Sequence, residues 1–182
     1  MKKFSLLFIL AVFLFSFQAD NLIEWKENRK LTWDDFKGKP DQASPYKAKT
    51  ESNFTIEIGT RGPQMGIKME NYFNKSTSWV KEKTPLLLEH EQTHFDISEL
   101  WLRKFKQRLL GKTFNVKTAQ AELNAMQAEI NKGGTEMNAL YDKETEHSVN
   151  QVAQKKWNKK IAEELKLLSA YINPVVTCKL VK

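Results

Sequence analysis

A change of hydrophobic period at Thr84-Pro85 constrains this chain more than any other feature. Before it, Ser52-Asn53-Phe54-Thr55-Ile56-Glu57-Ile58 alternates polar and apolar residues with a period of two, the pattern of a half-buried strand. Residues 65–73 and 76–81 are further strand candidates. Leu31-Thr32-Trp33-Asp34-Asp35-Phe36 also reads as extended, and turns follow at Gly38-Lys39-Pro40-Asp41 and Arg61-Gly62-Pro63. After Thr84 the period is helical. A threonine hydroxyl caps a helix, and proline suits its first turn because no N–H is needed there. The expected first helix covers residues 85–110 and stops at Gly111. A second covers 117–131 and stops at Gly133-Gly134. A third, capped by Thr135, reaches Leu168, and residues 175–181 form a last strand after Asn173-Pro174. Strands first and helices after predict an α+β fold, with an N-terminal antiparallel sheet followed by three helices.

The N-terminus has the character of an export signal. Lys2 and Lys3 precede an apolar run over residues 4–17, shorter than the ~20 residues of a membrane span. The reading is a signal peptide over residues 1–19, cut after Ala19, and one domain over residues 20–182. It predicts an exported protein, periplasmic or secreted, without stable membrane insertion once the leader is gone; an uncleaved N-terminal anchor is the alternative. The formal charge of +7 is dispersed and forms no arginine-rich stripe, so no nucleic-acid partner is expected. The single cysteine, Cys178, cannot form an intramolecular disulfide and reads as a small apolar residue of the last strand. No feature sets an oligomeric state.

Chemistry enters at His90-Glu91-Gln92-Thr93-His94, on the first helix. Residues four apart on a helix are offset by ~40° and rise by ~6 Å, so both imidazoles reach one ion. Zn2+ favours such nitrogen donors in a tetrahedral arrangement. Glu91 lies one step round the same side. It reaches a water near the ion without ligating, which is the position of a general base. A third ligand is required. His147 is the remaining histidine of the three, and Asp142 and Glu146 are the alternatives within Tyr141-Asp142-Lys143-Glu144-Thr145-Glu146-His147. Tyr141 is a candidate to hydrogen-bond a developing oxyanion, or else a packed core tyrosine. Asp96 lies ~200° round the helix from His94 and faces another element. Ile97 and Leu100 stand where a metzincin needs glycine and histidine, which excludes that class.

Three segments together resemble a known bacterial family: Leu31-Thr32-Trp33-Asp34-Asp35-Phe36-Lys37-Gly38, then His90-Glu91-Gln92-Thr93-His94-Phe95-Asp96, then Tyr141-Asp142 with Thr145 and His147. The chain resembles the secreted zinc-dependent protease family first catalogued as a domain of unknown function. The resemblance implies a zincin-like fold, zinc and peptidase activity on a peptide or protein substrate. Two other functions fit the residues. One is a zinc hydrolase of other amides or esters, such as cell-wall peptide. The other is a non-catalytic zincin used as a binding module, in which Glu91 has no chemical role.

Overall fold

Thr84 begins the helix as its chemistry requires. Its backbone is extended and its hydroxyl accepts the Leu87 N–H at 3.1 Å, with Pro85 in the first turn. The computed structural model describes residues 21–182, and the expected signal peptide lies outside them. Their strands are β1 (Leu22–Glu24), β2 (Ala48–Lys49), β3 (Ser52–Arg61), β4 (Gln64–Asn74), β5 (Trp79–Val80), β6 (Thr113–Asn115) and β7 (Val175–Val181). Their helices are α1 (Pro85–Leu109), α2 (Ala119–Thr145) and α3 (Gln151–Leu167). The fold is mixed α+β, with a curled sheet and three helices. No described helix is long and apolar enough to cross a membrane.

β4 organises the sheet. One edge pairs antiparallel with β3, from Ser52 opposite Phe73 to Arg61 opposite Gln64. Its other edge is shared: β1 takes Tyr72 to Asn74, and β7 takes Gln64 to Lys68. β6 adds to β7 in parallel, while β2 and β5 form a separate two-stranded ribbon. Alternation along β4 buries Met65, Ile67, Met69, Asn71 and Phe73 on one face. Leu102, Phe105 and Leu109 of α1 join the first three in one core cluster. Phe95, Ile97 and Leu100 join Phe73, Tyr141, Trp157 and Ile161 in a second. The motif-bearing helix is therefore held between the sheet and the other two helices. Cys178 is buried, as its apolar reading requires.

Three local expectations are corrected. Residues 31–36 are not a strand. Trp33–Asp35 is a 3-10 turn, because the Asp35 carboxylate accepts both the Thr32 N–H (2.7 Å) and the Thr32 hydroxyl (3.0 Å) and meets Arg29 at 2.7 Å. Short polar side chains that bond nearby backbone favour turns over ladders. Of residues 76–81, only Trp79 and Val80 pair, with Lys49 and Ala48 of β2.

The largest correction concerns Gly133-Gly134, which does not end a helix: α2 runs straight through it. A Cβ on Gly133 would lie 2.1 Å from the Trp101 ring of α1. These glycines admit an indole rather than a turn. Gly133→Ala should therefore destabilise the fold by about 1–2 kcal/mol, although alanine is the better helix former, because overpacking outweighs propensity. Chemical denaturation checks it; a stability gain would contradict the packing argument. The helix instead breaks at Glu146, His147 and Ser148, three residues in succession with positive φ (51°, 51° and 78°). Asn150 then starts α3, its side chain accepting the Ala153 N–H at 3.1 Å.

Candidate metal centre

α1 presents His90 and His94 on the face that meets α2. Their Nε2 atoms lie 3.1 Å apart, and Asp142 Oδ1 of α2 lies 3.1 Å from the first and 3.0 Å from the second. His90 is buried, and His94 and Asp142 are partly so. These three side chains form the group, among the described residues, able to hold a metal ion.

The chemistry of the donors fits a cation. His94 Nδ1–H donates to Asn138 Oδ1 at 2.7 Å, and the Asn138 amide is itself oriented by donating to the Gly134 carbonyl at 3.0 Å. A neutral His94 then turns an Nε2 lone pair towards a carboxylate oxygen and a second imidazole. Such a convergence of acceptors is repulsive until a proton or a cation sits among them. Without metal, protons take that place. Burial opposes charge on His94, but its hydrogen bond to Asp142 and the charges of Glu91 and Asp142 prevail and lift its pKa to about 9. Burial pushes His90 the other way, below the usual imidazole value, against the pull of Asp142. Burial would raise Asp142 too, yet its bonds to the two imidazoles hold it well below the usual carboxylate range.

Glu91 follows His90 on the buried side of α1 and is not part of the ligand group. Its Oε2 is buried without a hydrogen-bond partner. Its backbone carbonyl accepts the Thr50 hydroxyl at 3.2 Å, which ties the metal helix to the segment joining β2 and β3. His147 lies at the outer edge of the centre. Its Nδ1 is 3.5 Å from Asp142 Oδ1, its side chain is half exposed, and it is absent from the ligand group. The left-handed turn is the physical reason: after Asp142 the helix runs only to Thr145, and the reversal at Glu146 carries His147 to the rim. Of the residues expected as third ligand, Asp142 is thus the one that joins both imidazoles. Glu146 is exposed at the end of α2 and takes no part.

Tyr141 is also placed differently from an oxyanion donor. Its ring stacks on His90 (4.5 Å, 20°), meets His94 and Trp157 edge-on, and its hydroxyl is sealed from solvent. Burial raises its pKa far above the usual phenol value. It packs against the two imidazoles. Tyr46 is exposed, with its ring 4.9 Å from that of His147. Its loop is fastened by Lys81 Nζ donating to the Ser44 carbonyl at 2.6 Å.

Sequence reasoning missed Tyr46 and Asn138. Nothing local marks Tyr46, which meets His147 only through a long-range contact. Asn138 had a signal, since it lies one turn before Asp142 on the same helix. Asn138→Ala should weaken metal binding by about 10–100-fold, the usual effect of losing an imidazole's orienting partner. A competition titration against a chelator reads this, and unchanged affinity would remove Asn138 from the centre. The rest of the motif is structural. Gln92 Oε1 accepts the Leu31 N–H at 2.8 Å, and Asp96 accepts from Trp25 Nε1 (2.7 Å) and Gln92 Nε2 (2.9 Å). Asp96 thus faces away from the metal-binding side and braces the N-terminal segment against α1.

The fold and site define a mixed α+β protein with a two-histidine, one-carboxylate centre between its first two helices. The chain matches, over residues 26–148, the family described as "Bacterial protein of unknown function (DUF922)", and it belongs to that family. The matched span contains every residue of the centre. No curated protein and no solved structure matches the chain.

Proposed function

We propose that this protein is an exported, zincin-like metallohydrolase, and that its substrates are peptides. The observation that carries the reading is the convergence of His90 Nε2, His94 Nε2 and Asp142 Oδ1 within 3.1 Å, with Glu91 next in the helix and its Oε2 buried without a hydrogen-bond partner. Two imidazoles and one carboxylate are an accepted donor set for Zn2+, with a coordination position left for water or substrate. Held by His90, His94 and Asp142, a zinc ion would supply Lewis acidity to a water and a carbonyl.

The protein's own groups do the remainder. His90 and His94 are held in fixed orientation by Tyr141 and Asn138, so little reorganisation is needed when metal or substrate arrives. Glu91 accepts a proton from the attacking water and passes it to the departing amine. His147, half exposed beside Asp142, and the exposed Tyr46 against it are the groups assigned to meet the substrate. Export is read from the leader sequence.

The test is cleavage of a random peptide library by the purified mature protein, with and without a chelator. The reading expects cleavage that the chelator abolishes and zinc restores. Hydrolysis of other amides or esters alone, cell-wall peptide included, would move the protein to a different hydrolase class. No hydrolysis of any substrate, with metal bound and a partner captured, would favour the binding-module reading.

A further inference from the structure

His90 Nδ1 on α1 and Gln154 Oε1 in the first turn of α3 are both buried without a hydrogen-bond partner. The two residues are almost wholly enclosed, at 2% and 0% exposure. The Gln154 amide Nε2 donates to the Leu86 carbonyl at 2.9 Å. In an α-helix that carbonyl also accepts the N–H four residues on, which belongs to His90. Gln154 is thus fastened to the turn of α1 from which the His90 ring projects. Trp157, one turn further along α3, meets the Tyr141 ring edge-on at 5.5 Å, and Tyr141 stacks on His90 at 4.5 Å. The first two turns of α3 therefore close over His90 and its stacking partner.

The two atoms become complementary once His90 Nε2 ligates. Nε2 then offers its lone pair, so the proton of the neutral imidazole sits on Nδ1, a buried donor in need of an acceptor. Such a donor is costly to leave unmet. Gln154 Oε1 is an acceptor, and the Leu86 bond already orients its amide and leaves the oxygen as the free end. The other buried acceptor without a partner, Glu91 Oε2, belongs to the next residue of α1, about 100° round the helix. The Tyr141 hydroxyl, a competing donor, interacts with Thr93. We propose that Gln154 is a positioning residue of the metal centre, whose side-chain carbonyl accepts the His90 Nδ1–H and so fixes the tautomer and direction of the ligating Nε2. It does for His90 what Asn138 does for His94. Metal-ligating imidazoles ordinarily have such a partner on their second nitrogen. Gln154 lies beyond the family-matched span of residues 26–148, so α3 joins a centre otherwise built from α1 and α2. The inference rests on the metal centre and not on peptide hydrolysis.

The experiment is zinc titration against a competing chelator on the wild type, Gln154→Leu and Gln154→Glu, with imidazole 1H–15N spectra of the zinc-loaded wild type. Gln154→Leu should weaken zinc by about 10–100-fold, and Gln154→Glu, which keeps an acceptor oxygen, should stay within about threefold of the wild type. In the wild type the His90 Nδ1–H should resist solvent exchange. Three results would overturn the assignment. The first is unchanged zinc affinity in Gln154→Leu, with any loss of melting temperature equal in the metal-free and zinc-loaded protein, as a purely structural role requires. The second is equal weakening in both variants, which would trace the effect to the Leu86 bond. The third is fast exchange of the His90 Nδ1–H, a measurement on the wild type that stands whether or not a variant folds. A wild type that takes up no zinc would instead remove the metal centre itself, and Gln154 with it.

Discussion

Asp142→Ala should purify nearly free of divalent metal, while His147→Ala retains it. Asp142 Oδ1 lies within 3.1 Å of both imidazole nitrogens, whereas His147 touches the centre only through Asp142, at 3.5 Å. Losing one of three protein ligands should lower zinc affinity by more than the roughly 100-fold that loss of an orienting partner can cost. His147→Ala should shift it by less than about threefold, since a rim contact is worth little. The affinity of the wild type should also rise with pH. The raised pKa of His94, about 9, means that the metal-free protein keeps this proton at neutral pH, and the metal must displace it. Competition therefore weakens as pH climbs towards about 9 and strengthens as it falls. Chelator competition at several pH values, on the wild type and both variants, measures all of this. Greater metal loss in His147→Ala than in Asp142→Ala would reverse the ligand assignment.

Glu91→Gln should separate binding from chemistry. The amide fills nearly the same volume and cannot accept a proton, so hydrolysis should fall by about 10²–10⁴-fold, the range for loss of a general base. Metal content should be unchanged, because Glu91 lies outside the ligand group. The variant should be about as stable as the wild type. Its buried Oε2 has no hydrogen-bond partner to lose, while removal of the charge gives up its attraction for a protonated His94. Single-turnover hydrolysis, metal analysis and thermal melting on one preparation check the three parts. Normal hydrolysis by Glu91→Gln would end the general-base assignment. Unaltered peptide binding with lost hydrolysis would support it against the binding-module reading.

What the sequence made legible follows the reach of each signal. The Thr84 cap, Pro85 and the i,i+4 histidines are local, and all three act as their spacing implies. The alternation in β3 is likewise local and holds through Ile56, although Ile58 is exposed, and the strand candidate over residues 65–73 is β4 with one more residue at each end. Gly133-Gly134 carried two meanings, helix end and close approach, and only the position of Trp101, more than 30 residues earlier, distinguishes them. The same error split the helices wrongly and hid the αL turn at residues 146–148, where no glycine advertises positive φ. That turn is also why Asp142, and not His147, lies beside both imidazoles. Counting histidines favours His147, but the backbone reverses before it, and Asp142, still helical, faces the imidazoles. Tyr141 and Tyr46 differ by burial alone, which no local pattern encodes.

The most direct test of the metal centre is the metal content of the protein purified without added metal or chelator, read by elemental mass spectrometry beside a protein assay. The three-residue centre predicts close to one zinc per chain, removed by dialysis against a strong chelator and restored on return of zinc. A chain that carries no divalent metal, and takes none up when zinc is offered in excess, would contradict it.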